Sequence, residues 1–279
     1  MEQVHSIKIN LKMESETREQ LTDQQNQSIR HEFFQTNFLN GFETQNCILD
    51  ITPYKPEVMI VGTFNPETSK NFADFFYGRN FFWPALKNLF IHHEIVLHKR
   101  RMPQNGKPAT LDPTLLEIFD LCLRLKLTFS DLVLEVLHSD NPNYQLLEND
   151  KIIFNGRAYN LIQDGQKYGI GGLQQLNEFE QVNWNTHNII KYLCDNPQIK
   201  SVYFTRRPNG IWAKHWDQIA NHECMKGRNL TNIFTPSGQG KPVFHSIEEL
   251  LKHWIHNDNQ NFGKLDYEWL TGHGVNCNS

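Results

Sequence analysis

The chain has 279 residues, 39% of them hydrophobic and 21% charged, the balance of a globular protein long enough for one large α/β domain or two small ones. A formal net charge of -4 excludes a globally basic, histone-like binder, although a local basic groove can still hold a phosphate backbone. No apolar run approaches the roughly 20 residues of a membrane span, and the N-terminus lacks the apolar core of a signal peptide, so a cytoplasmic monomer without a membrane partner is expected.

In chain order, residues 1–45 are polar, and "ETREQLTDQQNQSIRHEFFQTNFL" predicts an N-terminal helical extension whose first dozen residues are loosely held. From Glu57 onward β-type runs alternate with helical patterns. Strand "EVMIVG" is followed by helices from "FFWPALKNLF" and "DPTLLEIFDLCLRLK", strand "LTFSDLV", helix "NTHNIIKYLCD", strand "IKSVYFT", helix "IWAKHWDQIA", strand "LTNIFT" and helix "SIEELLKHWI". Strands separated by helices pair in parallel through right-handed crossovers. The expected fold is therefore α/β, a three-layer α/β/α sandwich on a mainly parallel central sheet over residues 46–257. Residues 139–185, rich in Asn, Gln and aromatics, break the alternation as an insertion, and 258–279 form a C-terminal tail. Five cysteines, at 47, 122, 194, 224 and 277, are scattered, odd in number and form no C-x-x-C pair. That pattern speaks against a zinc ribbon, an iron–sulfur cluster or a disulfide framework, and fits a reducing compartment.

Ligands of open α/β sheets bind beyond the carboxyl ends of the strands. The ends here are Gly62–Pro66, Phe129–Asp131, Thr205–Asn209 and Phe234–Gly240, which should share one cleft. The first of them raises a question, because a turn explains Gly62, Asn65 and Pro66 but not Phe75, Phe76, Tyr77, Phe81, Phe82 and Trp83 behind it. "VGTFNP" followed by "YGRNFFWPAL" resembles the uracil-DNA glycosylase superfamily, whose first motif is a strand ending in G-x-[DN]-P, followed in several branches by an N-x-F-W helix start. The nearest branches are the mismatch-specific uracil and hypoxanthine-DNA glycosylase-like groups. "LTFSDLV", "SVYFTRR" and "NIFTPSGQG" follow in the order of the family's later strands, so the resemblance spans roughly residues 50–255 without the insertion.

The resemblance implies a monofunctional DNA glycosylase that hydrolyses the N-glycosidic bond of a flipped base and leaves an abasic site. Such an enzyme stacks the extruded base on aromatics and fills the gap from a loop. It positions water beneath an oxocarbenium-like sugar. The motif assigns the water to Asn65, with Asn80 assisting. By local geometry alone, Asn65 is a turn residue before proline and Asn80 an N-cap for a helix starting at Phe81. Thr63, Phe64, Phe75, Phe76, Tyr77, Ser130 and Asp131 are the candidate base-binding residues. Arg206, Arg207 and the loop Pro236, Ser237, Gly238, Gln239, Gly240 and Lys241 are the candidate contacts to double- or single-stranded DNA. The basic run at 97–107 adds phosphate-binding capacity if it faces the cleft.

No lysine stands where Schiff-base chemistry would need one, and no cofactor is expected. His92, His93, Glu94 and His98 fit no metal-binding spacing, so no metal is expected either. "YGIGGLQQL" lacks the strand and the Lys-Ser/Thr of a nucleotide-binding loop. Two departures from the family bear on the substrate. Thr235 stands where the best-known branch has a histidine that stabilises the departing base. Ser130 and Asp131 stand where the uracil-reading branch uses asparagine, and a carboxylate, which only accepts hydrogen bonds, suits the exocyclic amine of a cytosine-type base. The amide- and aromatic-rich insertion suits polyhydroxylated groups. These features point to a bulky modified cytosine, such as the glucosylated hydroxymethylcytosine of phage DNA, and to anti-phage defence. The alternatives are uracil or hypoxanthine base-excision repair, a non-catalytic sensor of modified DNA, and a hydrolase of free nucleosides.

Overall fold

The computed structural model describes residues 27–68, 71, 73–78, 81–93, 113–138, 146–148, 151–153, 162, 172–234, 247–256 and 262–277. Its strands are β1 (Gln27–Arg30), β2 (Phe42–Gln45), β3 (Ile48–Ile51), β4 (Val58–Gly62), β5 (Leu127–Asp131), β6 (Val133–His138), β7 (Leu146–Glu148), β8 (Lys151–Ile153), β9 (Val182–Trp184), β10 (Ser201–Phe204) and β11 (Asn229–Asn232). Its helices are α1 (Phe82–Lys87), α2 (Leu115–Leu125), α3 (Gly172–Glu178), α4 (Thr186–Asp195), α5 (Ile211–Ala220), α6 (Ile247–His256) and α7 (Tyr267–Gly272). None of the described helices is long and apolar enough to cross a membrane.

The chain divides into two compact units. The larger takes in Phe33–Asn65, Asn71–Leu134 and Trp184 onward and carries a six-stranded sheet in the order β11-β10-β4-β5-β3-β2. Strands β11, β10, β4 and β5 run parallel, while β3 and β2 add an antiparallel edge. The fold is thus α/β with a mostly parallel sheet. Val58–Gly62 is buried at every position, as expected of a strand covered on both faces. Alternate residues separate cleanly. Val58, Ile60, Leu127, Phe129 and Tyr203 share a core with Phe82 and Trp83 of α1, Ile118 and Phe119 of α2, and Trp254 of α6. Phe204, one residue on from Tyr203, stacks on Trp216 of α5 at 5.2 Å, and Ile189 and Leu193 of α4 are fully buried. A strand's period of two sends neighbours to opposite faces.

Two expectations at the chain's ends fail. Gln27–Arg30 is strand rather than helix and pairs antiparallel with Glu135–His138, and Phe42–Gln45 is strand as well. The region lacks a helical apolar stripe, and strand partners satisfy its backbone instead. The 258–279 segment is no tail among its described residues, because Leu265, Leu270, Val275 and Cys277 are buried in the main core.

The smaller unit collects the described residues up to Glu32, those of the Pro66–Lys70 stretch and Glu135–Asn183. It holds the three-stranded sheet β1-β6-β9 and the hairpin β7-β8. Pro66 forms an antiparallel bridge with His31, and the Glu67 amide donates to the Arg30 carbonyl at 2.8 Å.

Candidate functional site

Chain order and sheet order together locate a crevice. From β4 the chain passes to β5 on one side and later returns to β10 on the other, so the carboxyl end of β4 is the topological switch point at which such sheets bind ligands. Gly62 ends β4 and lies in register with Asp131 at the end of β5. Thr205 follows the Phe204–Val61 pair of β10 and donates to the Val61 carbonyl through its amide at 2.9 Å and its Oγ1 at 3.1 Å. Thr205, Gly62 and Asp131 therefore form a row across three parallel strands.

Tyr77 closes this row. Its hydroxyl is 2.7 Å from Thr205 Oγ1, and its ring stacks on Phe82 at 4.5 Å. Its φ of 58° is a left-handed conformation that a non-glycine residue adopts only when its surroundings impose it. Gly62 is required here on steric grounds. A Cβ at this position would stand 2.1 Å from Asp131 Oδ1 and 2.6 Å from the Tyr77 hydroxyl. Asp131 is 5% exposed; behind it, burial and then the Asp131 charge push the Cys47 thiol well above its ordinary range. The result is a hydrogen-bond acceptor and a hydroxyl held side by side in a poorly solvated strand end.

Asn65, three residues beyond Gly62, is half-buried. Its Oδ1 accepts from Asn71 Nδ2 at 2.6 Å, and Asn71 Oδ1 in turn accepts from the Ala73 amide at 3.2 Å. This amide pair fixes one of the two acceptor lone pairs of Asn65 Oδ1. Thr63 and Phe64 are half-buried between them, and the Thr63 carbonyl accepts from the Val133 amide at 3.0 Å.

No family model, no curated protein and no solved structure matches the chain.

Three of the candidate base-binding residues do not face the crevice. Ser130 is fully buried and, being adjacent to Asp131 on a strand, points to the other side of the sheet. There its Oγ accepts from Asn185 Nδ2 at 3.1 Å, so Ser130 does not read a base edge beside Asp131. Phe75 and Phe76 are 0% and 1% exposed. They pack on Phe33, Phe38, Phe119 and Phe129, which leaves no ring face for a base. Of that aromatic run, only Tyr77 reaches the strand ends.

Asn185 is a site residue that sequence reasoning missed. Preceding α4, it has the signature of an N-cap, yet its side chain makes no cap bond. Instead its Nδ2 also donates to the Asn46 carbonyl at 2.7 Å and the Asp131 carbonyl at 3.1 Å. Its Oδ1 accepts from Asn188 Nδ2 at 3.0 Å, and its amide donates to the Leu132 carbonyl at 2.7 Å. This fully buried amide pins the end of β5 from behind. Asn71 was also missed, since an asparagine in a polar loop carries no distinguishing signal.

Arg206 sits over the Trp212 ring, 5.0 Å from its centroid, while Arg207 is exposed beside it. His215 stacks on Trp184 at 3.7 Å and pairs with Thr186 Oγ1 at 2.8 Å. Burial, and then the Lys214 charge, push its pKa down to about 4, so the ring is neutral near neutral pH. Asn80, Thr235, Pro236, Ser237, Gly238, Gln239, Gly240, Lys241 and the basic run at 97–107 lie outside the described residues.

Proposed function

We propose that the chain is a three-layer α/β/α, monofunctional DNA glycosylase that hydrolyses the N-glycosidic bond of a base flipped out of DNA. The observation that carries this reading is the row Thr205–Gly62–Asp131 under Tyr77 at the switch point, with the Asn65 amide in the following turn. Residues of α1, α2 and α6 packing on one set of alternate strand positions, with Trp216 of α5 on the other, support the layering. Asn65 Oδ1, held by Asn71, directs a water at C1′ with its second lone pair. The water oxygen bonds to C1′, the N-glycosidic pair leaves with the base, and the displaced proton ends on the base. Asp131, an acceptor only, favours a base carrying an exocyclic amine. In this reading the Tyr77 hydroxyl bounds the base beside Asp131, and exposed Arg207 binds phosphate. Bulky modified cytosines, and with them a role in defence against phage, fit this preference better than uracil.

The test is mass spectrometry of bases released from a panel of uracil, hypoxanthine, thymine-mismatch, unmodified, hydroxymethylated and glucosylated DNA. Release of one base with equimolar abasic sites is expected, and Asn65→Ala should slow it by about 100-fold or more, the scale of a lost proton-handling or water-positioning group, with DNA affinity retained. Silence of the wild-type protein across the panel, with binding retained, would replace the enzyme by a sensor. Silence without salt-sensitive DNA binding would remove DNA from the reading altogether.

A further inference from the structure

At the far end of α4 from Asn185, a second cluster has no part in the crevice. Nine residues along a helix span about 14 Å, and Cys194 lies that far along, near the last turn. The loop after α5 brings a short 3₁₀ turn, Glu223–Met225, against this helix end. His222 caps that turn, its Nδ1 accepting from the Cys224 amide at 3.4 Å. This holds Nδ1 3.1 Å from Cys224 Sγ and 3.7 Å from Cys194 Sγ. The two sulfurs are joined as a disulfide, contrary to the absence of disulfides expected from cysteine spacing. The three ligand atoms lie within 4.8 Å of one another, and all three residues are half-buried.

We propose that Cys194, His222 and Cys224, once the cysteines are reduced, form a Cys2His site for a thiophilic divalent cation of the zinc class. Several features converge on this chemistry. Two thiolates and an imidazole are a donor set that zinc favours. Tetrahedral coordination at about 2.3 Å asks the sulfurs to separate to roughly 3.8 Å, which side-chain rotation supplies from Cα atoms 5.5 Å apart. The imidazole already presents Nδ1 close to both sulfurs, and binding exchanges its long hydrogen bond from the Cys224 amide for the cation. Three protein ligands leave one position for water. The cation would clamp α4 to the 3₁₀ turn at the end of the helix away from Asn185, with the water-held position open to exchange.

The interconversion balances as follows. A phosphine reductant takes the oxygen of one water to become the phosphine oxide, and its electron pair cleaves the S–S bond. The two protons of that water end on the two sulfurs. The cation then displaces one proton from each thiol, while His222 binds as the neutral ring.

The experiment is a zinc titration of the full chain, phosphine-reduced and then freed of reductant, against a chromophoric chelator. One equivalent bound by the reduced protein and none by the oxidised protein is expected, with a higher melting temperature for the zinc-bound form. Cobalt in place of zinc should give a thiolate-to-metal charge-transfer band. Cys224→Ser should weaken binding by on the order of 100-fold, because each ligand carries a large share of the affinity. His222→Ala, which leaves the cysteine pair intact, covers the case in which Cys224→Ser fails to fold, and should weaken it by at least about 10-fold. Equal zinc binding by wild type and His222→Ala, or none by the reduced wild type, would overturn the site and leave a disulfide only.

Discussion

At the residue scale, the crevice depends on what Gly62 lacks. Asp131 Oδ1 and the Tyr77 hydroxyl occupy the volume that a side chain on β4 would take, so Gly62→Ala must displace one or both. We expect that substitution to cost about 1–3 kcal/mol of stability, as overpacking of a well-filled site does, read as a lower urea midpoint. Under the proposed glycosylase reading, base release should fall by more than the loss of folded protein explains, because the acceptor and the hydroxyl no longer share one position. Wild-type stability and activity in the Gly62→Ala variant would show that the row is not the site. Tyr77 bears on the same point: its left-handed backbone costs about 1–2 kcal/mol, and the Thr205 hydrogen bond and the Phe82 stack help to hold it there.

At the scale of elements, α2 shows how local chemistry sets an orientation. Thr114 and Glu117 form a reciprocal capping box, and Glu117 Oε1 also accepts from Lys87 Nζ of α1 at 2.8 Å. That hydrogen bond, and then those from Thr114, lower the Glu117 pKa from 4.5 to about 2. A carboxyl whose folded pKa is depressed stabilises above its unfolded value, so this contribution is present above pH 4.5 and is lost as pH falls from there through about 2. The group is largely solvated, so the amount is under about 1 kcal/mol. Glu117→Gln should therefore flatten the pH dependence of the denaturant midpoint in that window, with the difference between the two proteins shrinking as pH falls and vanishing only below about 2. Thr114→Ala should cost about 1 kcal/mol at neutral pH, the usual value of a lost N-cap.

At the scale of the whole molecule, the C-terminal segment closes the core. The Gly263 amide donates to the Asn232 carbonyl at 2.6 Å, the Leu265 amide to the Trp254 carbonyl at 2.9 Å, and the Asp266 amide to the Tyr203 hydroxyl at 2.7 Å. Leu265, Leu270 and Val275 are each at most 5% exposed, and burying three such side chains contributes about 5–9 kcal/mol. That approaches the whole stability of a typical domain. A chain ending at residue 261 should therefore be insoluble or lack a cooperative melt, and a cooperative melt near the full chain's would show that the segment is dispensable.

The sequence by itself determined most strand and helix positions from Val58 to His256, because short continuous apolar runs and the 3.6-residue apolar period are local properties of the chain. The resemblance also drew attention to Asn65 and Asp131, which the structure sets in the turn after β4 and at the end of β5 in register with Gly62. Only the tertiary structure decided the rest. Whether Ser130 or Asp131 faces the crevice follows from which alternate positions meet α1 and α4. Phe75 and Phe76 became core because Phe33, Phe38 and Phe119 reach them from distant segments. Gln27–Arg30 became strand because its partner lies more than a hundred residues away in β6. Asn185 became a brace for β5, and Cys194 met His222 and Cys224, for the same physical reason: these roles are set by which groups satisfy one another across the fold, and no local spacing records that.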